Sequence, residues 1–252
     1  MEEIKNNIIF GIRAITEAIA AKKNFDKILL KQSMAGELIT LLKNEKINFK
    51  TVPQSKLDRI TKKNHQGVIG FISPVEYQNF EEIITRVFEK GEEPFIIVLD
   101  GITDVRNFGA IARSAACMGI HAIIIPANNS VTVTPDAVKT SAGALLSIPV
   151  CKVNSIAVAI EKMKEYGITI IGCTEKAKDS IYNTNLSGPS AIVLGSEEKG
   201  LSNVVLKIAD KLVKIPIWGN LNSLNVSVAA GIFLYEIKKQ NTEIVSSMNK
   251  TE

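Results

Sequence analysis

Hydrophobic positions in the first third of the chain alternate between two spacings, which predicts a small α/β domain. Ile12, Ile15 and Ile19 recur at the spacing of one helix face within residues 8–21. Short apolar runs bounded by polar residues predict strands, and the segments between them predict helices. The predicted strands are Phe25–Lys31, Phe49–Val52 and 67–73, and the predicted helices are 35–44 and 56–61.

Longer strand and helix units begin at residue 94. The run 95–99 (FIIVL) is uniformly apolar, which is typical of a strand covered on both faces. Alternation of such strands with helices predicts a mainly parallel sheet with helices on both faces. Further strands are expected at 122–125, Val150–Val153, 168–173, 191–194 and 212–215, and helices at 80–90, 108–118, 136–141, 155–165, 201–208 and 225–239.

These changes of pattern divide the chain into four parts. We expect an N-terminal domain at 1–75, a linker with a connecting helix at 76–93, the main domain at 94–240 and a flexible polar tail at 241–252. Residues 1–75 hold 13 Lys and Arg against 7 Asp and Glu, whereas the remainder holds 17 against 19. A basic module attached to a near-neutral body indicates binding of a polyanion. The alternative is that these lysines only keep a small domain soluble.

Composition and cysteine usage exclude several classes of protein. The chain has 252 residues, of which 46% are hydrophobic and 22% charged, as in an ordinary globular protein. No apolar run approaches the roughly 20 residues that cross a bilayer, and the acidic N-terminus makes a poor signal peptide. Cys117, Cys151 and Cys173 have no zinc-ligand spacing and lie in apolar surroundings. We therefore expect reduced cysteines packed in the core, no metal, no membrane contact and a cytoplasmic location.

Three segments share one pattern, an apolar strand that ends in a polar, glycine-containing loop and continues into a helix. They are 99–115 (LDGITDVRNFGAIARSA), 192–202 (IVLGSEEKGLS) and 215–231 (IPIWGNLNSLNVSVAAG). In an open α/β sheet, ligands bind where strands end in such loops. The three segments therefore predict one composite site.

Particular residues in these loops suggest chemistry, each with a structural alternative. Asn107 is placed to cap a helix and could do only that. Arg113 stands among small apolar residues, which favours an anionic target such as phosphate over a structural ion pair. Gly195 and Gly200 flank Glu197 in a loop that could approach a ligand closely or be a simple turn.

The third loop is the most informative of the three. Asn220, Asn222, Ser223 and Asn225 supply many hydrogen-bonding groups without charge, just before a helix N-terminus. Such side chains could hold a neutral or zwitterionic cofactor. The small residues that follow, Ala229 to Gly231, allow close approach of another helix, within the chain or across a dimer. The chain lacks both G-x-G-x-x-G and G-x-x-x-x-G-K-[ST], so the common nucleotide-binding fingerprints are absent.

At these residues the sequence resembles the SpoU-type RNA ribose methyltransferases of the SPOUT class. The likeness covers roughly 94–240 and rests on the ordered set N-x5-R, GSExxGL and SLNVS. The first 75 residues, with FGIRAITEAI and NHQGVIG, also resemble the family's substrate-binding domain, which is related to a ribosomal protein of the L30e type. Transfer-RNA members of the family typically lack that domain.

The resemblance implies a trefoil-knotted enzyme that uses S-adenosylmethionine and works as a homodimer packed through the knot helices. Its substrate would be the ribose 2′-hydroxyl of an RNA, most closely a guanosine of 23S ribosomal RNA. The implied catalytic residues are Asn107, Arg113, Glu197, Ser223 and Asn225. The implied cofactor-binding residues are Thr174, Glu175, Leu194, Gly195, Ser196, Gly200, Ile215, Ile217, Ser223 and Leu224.

The implied reaction is in-line attack of the hydroxyl on a sulfonium methyl group, which the enzyme assists by positioning and by proton removal. Arg113 is the family's proposed base, but an arginine rarely releases its proton, so a phosphate clamp that orients the hydroxyl is the easier role. Two alternatives remain: a non-catalytic assembly factor that binds ribosomal RNA, and a methyltransferase for transfer RNA or antibiotic resistance built on the same core.

Overall fold

The computed structural model describes residues 8–34, 36–45 and 47–248, which divide into two units. The first unit contains the described residues up to Glu76 together with Thr132–Pro135, and the second contains Tyr77–Val131 and the residues from Asp136 onward. The four-part division expected from the sequence stays a prediction. Helix 80–90, expected to connect domains, packs Phe80, Ile83 and Ile84 into the core of the second unit.

The first unit is a four-stranded sheet with helices on both faces. Its elements are β1 (Ile8–Phe10), α1 (Ile12–Ala20), β2 (Phe25–Lys31), α2 (Glu37–Asn44), β3 (Phe49–Val52), α3 (Gln54–Ile60) and β4 (Val68–Ile72). The strand order is β1-β4-β2-β3, with β4 antiparallel to β1 and β2, and β2 parallel to β3. Alternation along β2 turns Ile28 and Leu30 toward one cluster and Leu29 toward the other.

Residues 8–10 form a strand, so the prediction of a helix over 8–21 placed the start of the helix too early. Gly11 has a φ of +91°, and its N–H donates to Val68 O, which ends β1 before α1 starts. This conformation suits glycine and breaks a helix. The hydrophobic run before Gly11 therefore pairs with β4, a distant partner that the local spacing could not reveal.

The second unit is a seven-stranded sheet in which every strand pairing is parallel. The strand order is β7-β6-β5-β10-β8-β11-β9. Its strands are β5 (Phe95–Asp100), β6 (Ala122–Pro126), β7 (Val150–Val153), β8 (Thr169–Cys173), β9 (Asp179–Ser180), β10 (Ser190–Gly195) and β11 (Lys211–Lys214). Its helices are α4 (Phe80–Glu89), α5 (Val105–Cys117), α6 (Pro135–Thr140), α7 (Ala144–Ser147), α8 (Ile156–Glu165), α9 (Asn203–Ile208) and α10 (Val226–Met248).

Helices cover both faces of this sheet, as the apolar strands predicted. Ile96 and Val98 of β5 join a cluster with α4, α8 and α9. The alternating residues Ile97 and Leu99 are also fully buried, and α5 and α10 pack against each other, with α10 in contact with β10. The α/β class is therefore confirmed; the trefoil knot implied by the resemblance stays a prediction.

The structure also differs from the sequence-based predictions in two short elements, in the end of the last helix and in the exposure of one cysteine. The four residues of α7 and the two of β9 were not expected, because such short segments carry no periodicity. Helix α10 continues to Met248, past the expected end at Lys239 and into the tail. Cys117 is exposed, so the expectation that all three cysteines pack in the core is wrong at that position. No helix among the described residues is long and apolar enough to span a membrane.

Candidate functional site

The parallel sheet of the second unit brings the candidate loops to one edge. Strands β5, β10, β8 and β11 are consecutive neighbours and run in the same direction. The loops that follow them therefore leave the sheet at the same, carboxyl-terminal edge. This is where open α/β sheets bind ligands.

Three side chains from three of these segments form a closed hydrogen-bonded cluster. Asn107 Nδ2 donates to Glu197 Oε1, and Asn225 Nδ2 donates to the same oxygen at 3.2 Å and to Asn107 Oδ1 at 3.1 Å. Asn225 Oδ1 accepts from Ser227 N at 2.9 Å and from Ser227 Oγ at 2.6 Å. The Asn107–Glu197–Asn225 cluster thus joins residues up to 118 positions apart in the sequence.

Asp104, and not Asn107, caps helix α5. Asp104 Oδ1 accepts from Asn107 N at 2.8 Å, which satisfies one of the free N–H groups of the first turn. The interpretation of Asn107 as only a helix cap is therefore wrong. Its side chain is left free to take part in the cluster.

The loop that carries Glu197 is held by its own backbone. Ser196 N donates to Gly200 O at 3.1 Å, and Gly200 N donates to Ser196 O at 2.8 Å. Gly200 has a φ of +67°, which suits glycine. A Cβ at Gly195 would lie 2.1 Å from the carbonyl carbon of Gly200, so no larger residue fits there without moving the loop.

A cavity of about 440 Å³ lies beside this loop. It is within the size range of small-ligand sites. The structure places all ten of the cofactor-binding residues expected from the resemblance in its lining, namely Thr174, Glu175, Leu194, Gly195, Ser196, Gly200, Ile215, Ile217, Ser223 and Leu224. We call this space the loop cavity.

Several further residues of the loop cavity were not predicted from the sequence. Val226, Ala229 and Phe233 line it from α10, and Cys173 and Lys176 line it from the end of β8 and the loop that follows. The three α10 residues are spaced at i, i+3 and i+7, which places them on one helix face. This spacing is the feature of the sequence from which they could have been predicted. Burial raises the pKa of the Cys173 thiol well above its usual range, which favours the neutral thiol at this wall of the cavity.

A second cavity of about 510 Å³ shares the loop 196–200 and Val226 with the loop cavity. Asn107, Asp100 and Asp104 contribute to its lining. Glu197 lines both cavities, so the Asn107–Glu197–Asn225 cluster stands between two spaces that could each hold a ligand.

Two expected catalytic residues stand apart from this cluster. Ser223 is exposed and lines the loop cavity. Arg113 is exposed on α5, and no hydrogen bond or ion pair joins it to the residues that the structure describes. An unpaired guanidinium on a helix is available to an anion supplied from outside the chain. Within the same described ranges, no group of His, Cys, Asp and Glu side chains is arranged to hold a metal ion.

The first unit carries a cluster of three lysines. In the register of β2 and β3, Lys50 pairs with Leu29, so Lys50 and Lys27 share one face of the sheet. The same face holds α3, whose Leu57 packs with Leu29, and α3 also carries Lys56. Partial burial and the positive charges of Lys56 and Lys50 lower the pKa of Lys27. This Lys27–Lys50–Lys56 cluster is a candidate site for anions.

Comparison with known proteins identifies the class to which this fold and site belong. Residues 94–235 match the SpoU rRNA Methylase family, and residues 8–78 match the family of RNA 2′-O ribose methyltransferase substrate-binding domains. The chain belongs to the SpoU rRNA methylase family. It is an RNA 2′-O-methyltransferase with an N-terminal substrate-binding domain.

Relatives of full length support this assignment. The chain is 34% identical over 244 residues to YacO of Bacillus subtilis, a protein of the TrmH family of tRNA/rRNA methyltransferases, covering 95% of this chain and 98% of YacO. It is 35% identical over 245 residues to a TrmH-family protein of Staphylococcus aureus strain MSSA476, covering 96% and 99%.

Solved structures share the fold. The SpoU methyltransferase AviRb of Streptomyces viridochromogenes, solved in complex with AdoMet, is 23% identical, has a TM-score of 0.60 and covers 92% of this chain and 89% of its own. The A. aeolicus TrmH/SpoU tRNA modifying enzyme is 27% identical with a TM-score of 0.55, and covers 65% of this chain and 84% of its own.

Proposed function

We propose that the enzyme transfers a methyl group from S-adenosylmethionine to the ribose 2′-hydroxyl of a guanosine in 23S ribosomal RNA. The proposal rests on one observation above all. Asn107, Glu197 and Asn225 converge beside a cavity whose lining includes every residue that the family resemblance assigns to the donor.

The chemistry of the loop cavity fits S-adenosylmethionine. Leu194, Ile215 and Ile217 offer apolar contact for the adenine ring, and the polar groups of Thr174 and Ser223 suit the ribose and amino-acid parts. The solved complex of AviRb with AdoMet supports the same donor. When bound, the donor supplies a methyl group on a positively charged sulfur.

The residues of this chain position the acceptor. The Glu197 carboxylate, held by two amide donors, faces both cavities and is placed to accept a hydrogen bond from a ribose hydroxyl. Arg113 binds a phosphate of the target strand and so orients its hydroxyl. Because a guanidinium keeps its proton at neutral pH, this clamp is favoured over a role as base.

Replacement of Arg113 by alanine should abolish transfer while the donor still binds. We expect at least about a 100-fold loss of turnover, in line with loss of one transition-state contact, and unchanged S-adenosylmethionine affinity by calorimetry. Arg106→Ala, at another exposed arginine of α5, is the matched control and should retain turnover. Near-normal turnover in the Arg113 variant would eliminate the assignment.

Ribosomal RNA is favoured over transfer RNA by the two-part plan of the chain. The substrate-binding family matches residues 8–78, whereas the tRNA modifying enzyme from A. aeolicus covers only 65% of this chain. The full-length relatives carry both tRNA and rRNA in their names, so the target needs a direct measurement. An antibiotic-resistance enzyme with the same plan differs only in the nucleotide that it modifies.

The target nucleotide can be identified by mapping ribose methylation in a strain that lacks the gene. We expect one 2′-O-methylguanosine to disappear from 23S ribosomal RNA and to return with the wild-type gene but not with the Arg113→Ala variant. Loss of a methyl group from transfer RNA instead, with ribosomal RNA unchanged, would contradict the proposed target. Loss of a methyl group from a different nucleotide of ribosomal RNA would favour the resistance alternative, and unchanged methylation of both RNAs would favour the assembly-factor alternative.

The Lys27–Lys50–Lys56 cluster should contact RNA phosphates. Each neutralised phosphate of a single strand contributes about 0.7 to the slope of log affinity against log salt concentration. Lys27→Ala/Lys50→Ala/Lys56→Ala should therefore reduce that slope by about 2 in a filter-binding assay. Lys22→Ala/Lys23→Ala/Lys43→Ala, at exposed lysines of the same unit, serves as control. Equal slopes for the two triple variants would place the RNA on another surface.

We also propose a homodimer formed through α10. The small residues that suggested helix contact are used within the chain, since Ala230 is fully buried and a Cβ at Gly231 would lie 3.9 Å from Ser114 Oγ of α5. A different face of α10 exposes Val228, Ile232 and Tyr235 at helical spacing. A second copy of the chain would cover this face.

Light scattering tests this interface. We expect the wild-type chain to be dimeric at micromolar concentration and Ile232→Asp to shift it toward monomer, because the interface would bury an unpaired carboxylate. Val158→Asp, at an exposed apolar residue of α8, should leave the dimer intact. A monomeric wild type, or an unaffected Ile232 variant, would exclude this surface.

The free cysteines favour a cytoplasmic location for the enzyme.

A further inference from the structure

Two aromatic side chains beside the loop cavity are exposed to solvent. Trp218 is 82% exposed and Tyr182 is 61% exposed. Their rings lie within 20° of parallel, with centroids 6.5 Å apart, at the loose end of the range for stacked aromatic pairs. Large aromatic side chains are on average mostly buried. An exposed, nearly parallel pair is therefore available to stack on a planar group of a ligand.

The backbone places this pair at the outer edge of the sheet and next to the loop cavity. Strand β9 is the edge strand, and its Ser180 pairs with Lys214 of β11. Ile181 N, directly before Tyr182, donates to Lys214 O at 2.9 Å. Trp218 directly follows Ile217, which lines the cavity, and the loop then returns to the cavity at Asn222. The chain thus connects Trp218 directly to a lining residue of the loop cavity, while Tyr182 lines a separate surface cavity with Gln240 and Glu243.

Three lysines lie on the strands and loops that carry the pair. Lys176 lines the loop cavity, Lys178 directly precedes β9, and Lys214 pairs with β9. None of the three makes an ion pair with the part of the chain that the structure describes. The neighbouring carboxylates are Glu175 and Asp179, together with Glu243, which shares a cavity lining with Tyr182. Aromatic faces combined with unpaired cations are typical of surfaces that bind single-stranded nucleic acid.

We propose that Tyr182 and Trp218 form a stacking platform for an unpaired base of the RNA substrate, next to the nucleotide that is methylated. This inference rests on the proposed entry of RNA beside the loop cavity. A second copy of the chain is disfavoured as the occupant of this surface, because a symmetric contact would bring the lysines of the two copies together. Unstacked bases in loops and single strands are the usual targets of such aromatic side chains.

The chain contains a single tryptophan, so its fluorescence reports on the platform directly. The probe is a single-stranded adenosine RNA of about ten nucleotides, within the usual site size. We expect it to quench Trp218, whereas an abasic ribose-phosphate strand and the same RNA in a duplex should quench it far less. Equal quenching by the abasic strand would overturn the proposal, because that strand has no base to stack.

Variants separate stacking from folding and dimer formation. Trp218→Ala and Tyr182→Ala should each raise the KM for RNA by about tenfold or more, as loss of one base stack does, with unchanged donor affinity. Trp218→Phe should recover most of the loss, and Tyr166→Ala, at a partly exposed tyrosine that ends α8, should have no effect. An unchanged KM for RNA in both alanine variants would overturn the proposal.

The same variants distinguish this inference from the proposed function and from a protein interface. If Trp218→Ala converts dimer to monomer and binds RNA normally as a monomer, the pair is an interface and the stacking proposal is wrong. If the wild-type enzyme methylates no RNA but the single-stranded probe quenches Trp218, the proposed reaction fails while the platform stands. If methylation proceeds without quenching, the platform fails alone.

Discussion

The common direction of four neighbouring strands is the constraint on which the site depends. Because β5, β10, β8 and β11 are parallel, residues as far apart in sequence as Asn107 and Asn225 meet at one sheet edge. Holding flexible loops in one geometry costs conformational entropy, of the order of 1 kcal/mol per residue fixed. The buried central strands β5 and β10 provide a rigid base for the loops, and the backbone pairing of Ser196 with Gly200 fixes the loop that bears Glu197.

Charge is distributed between the centre of the site and its surroundings in a way that suits a polyanionic substrate. At the centre, the carboxylate of Glu197 is bonded to two neutral amides, and the cations proposed to bind phosphate lie elsewhere. Arg113 is unpaired on α5, and lysines gather beside β9 and on the first unit. Two further acids of this edge, Asp100 and Asp104, each accept a hydrogen bond from a backbone N–H, whereas the Glu197 carboxylate is held by side-chain amides. Negative charge repels an RNA backbone, so an acid bonded to donors is the form that such a site tolerates.

The sequence predicted most of the fold and most of the cavity, for physical reasons that also explain the failures. The strands Phe25–Lys31 and Val150–Val153 were predicted to the residue, since each is a short segment with apolar residues between polar or turn-forming neighbours. The strand Ile8–Phe10 was missed because its partner β4 is distant in sequence. In the site, Asn107 and Glu197 could be selected from their motifs, but their contact depends on strand order. Asp104 was overlooked as the helix cap because the helix begins earlier than its apolar spacing indicated.

Target choice follows from the kinds of contact that the chain can make. Lysines that bind phosphate position an RNA but carry little sequence information, since every nucleotide has the same phosphate. The Lys27–Lys50–Lys56 cluster can therefore select an RNA by its shape and by the spacing of its strands, and not by its bases. In the second unit, the amide-rich loop that lines the loop cavity offers hydrogen-bonding groups for a base, and the aromatic pair offers a flat surface for stacking. A stacked base tolerates any sequence but requires an unpaired strand. The proposed stacking therefore predicts a target nucleotide in an RNA loop rather than in a helix.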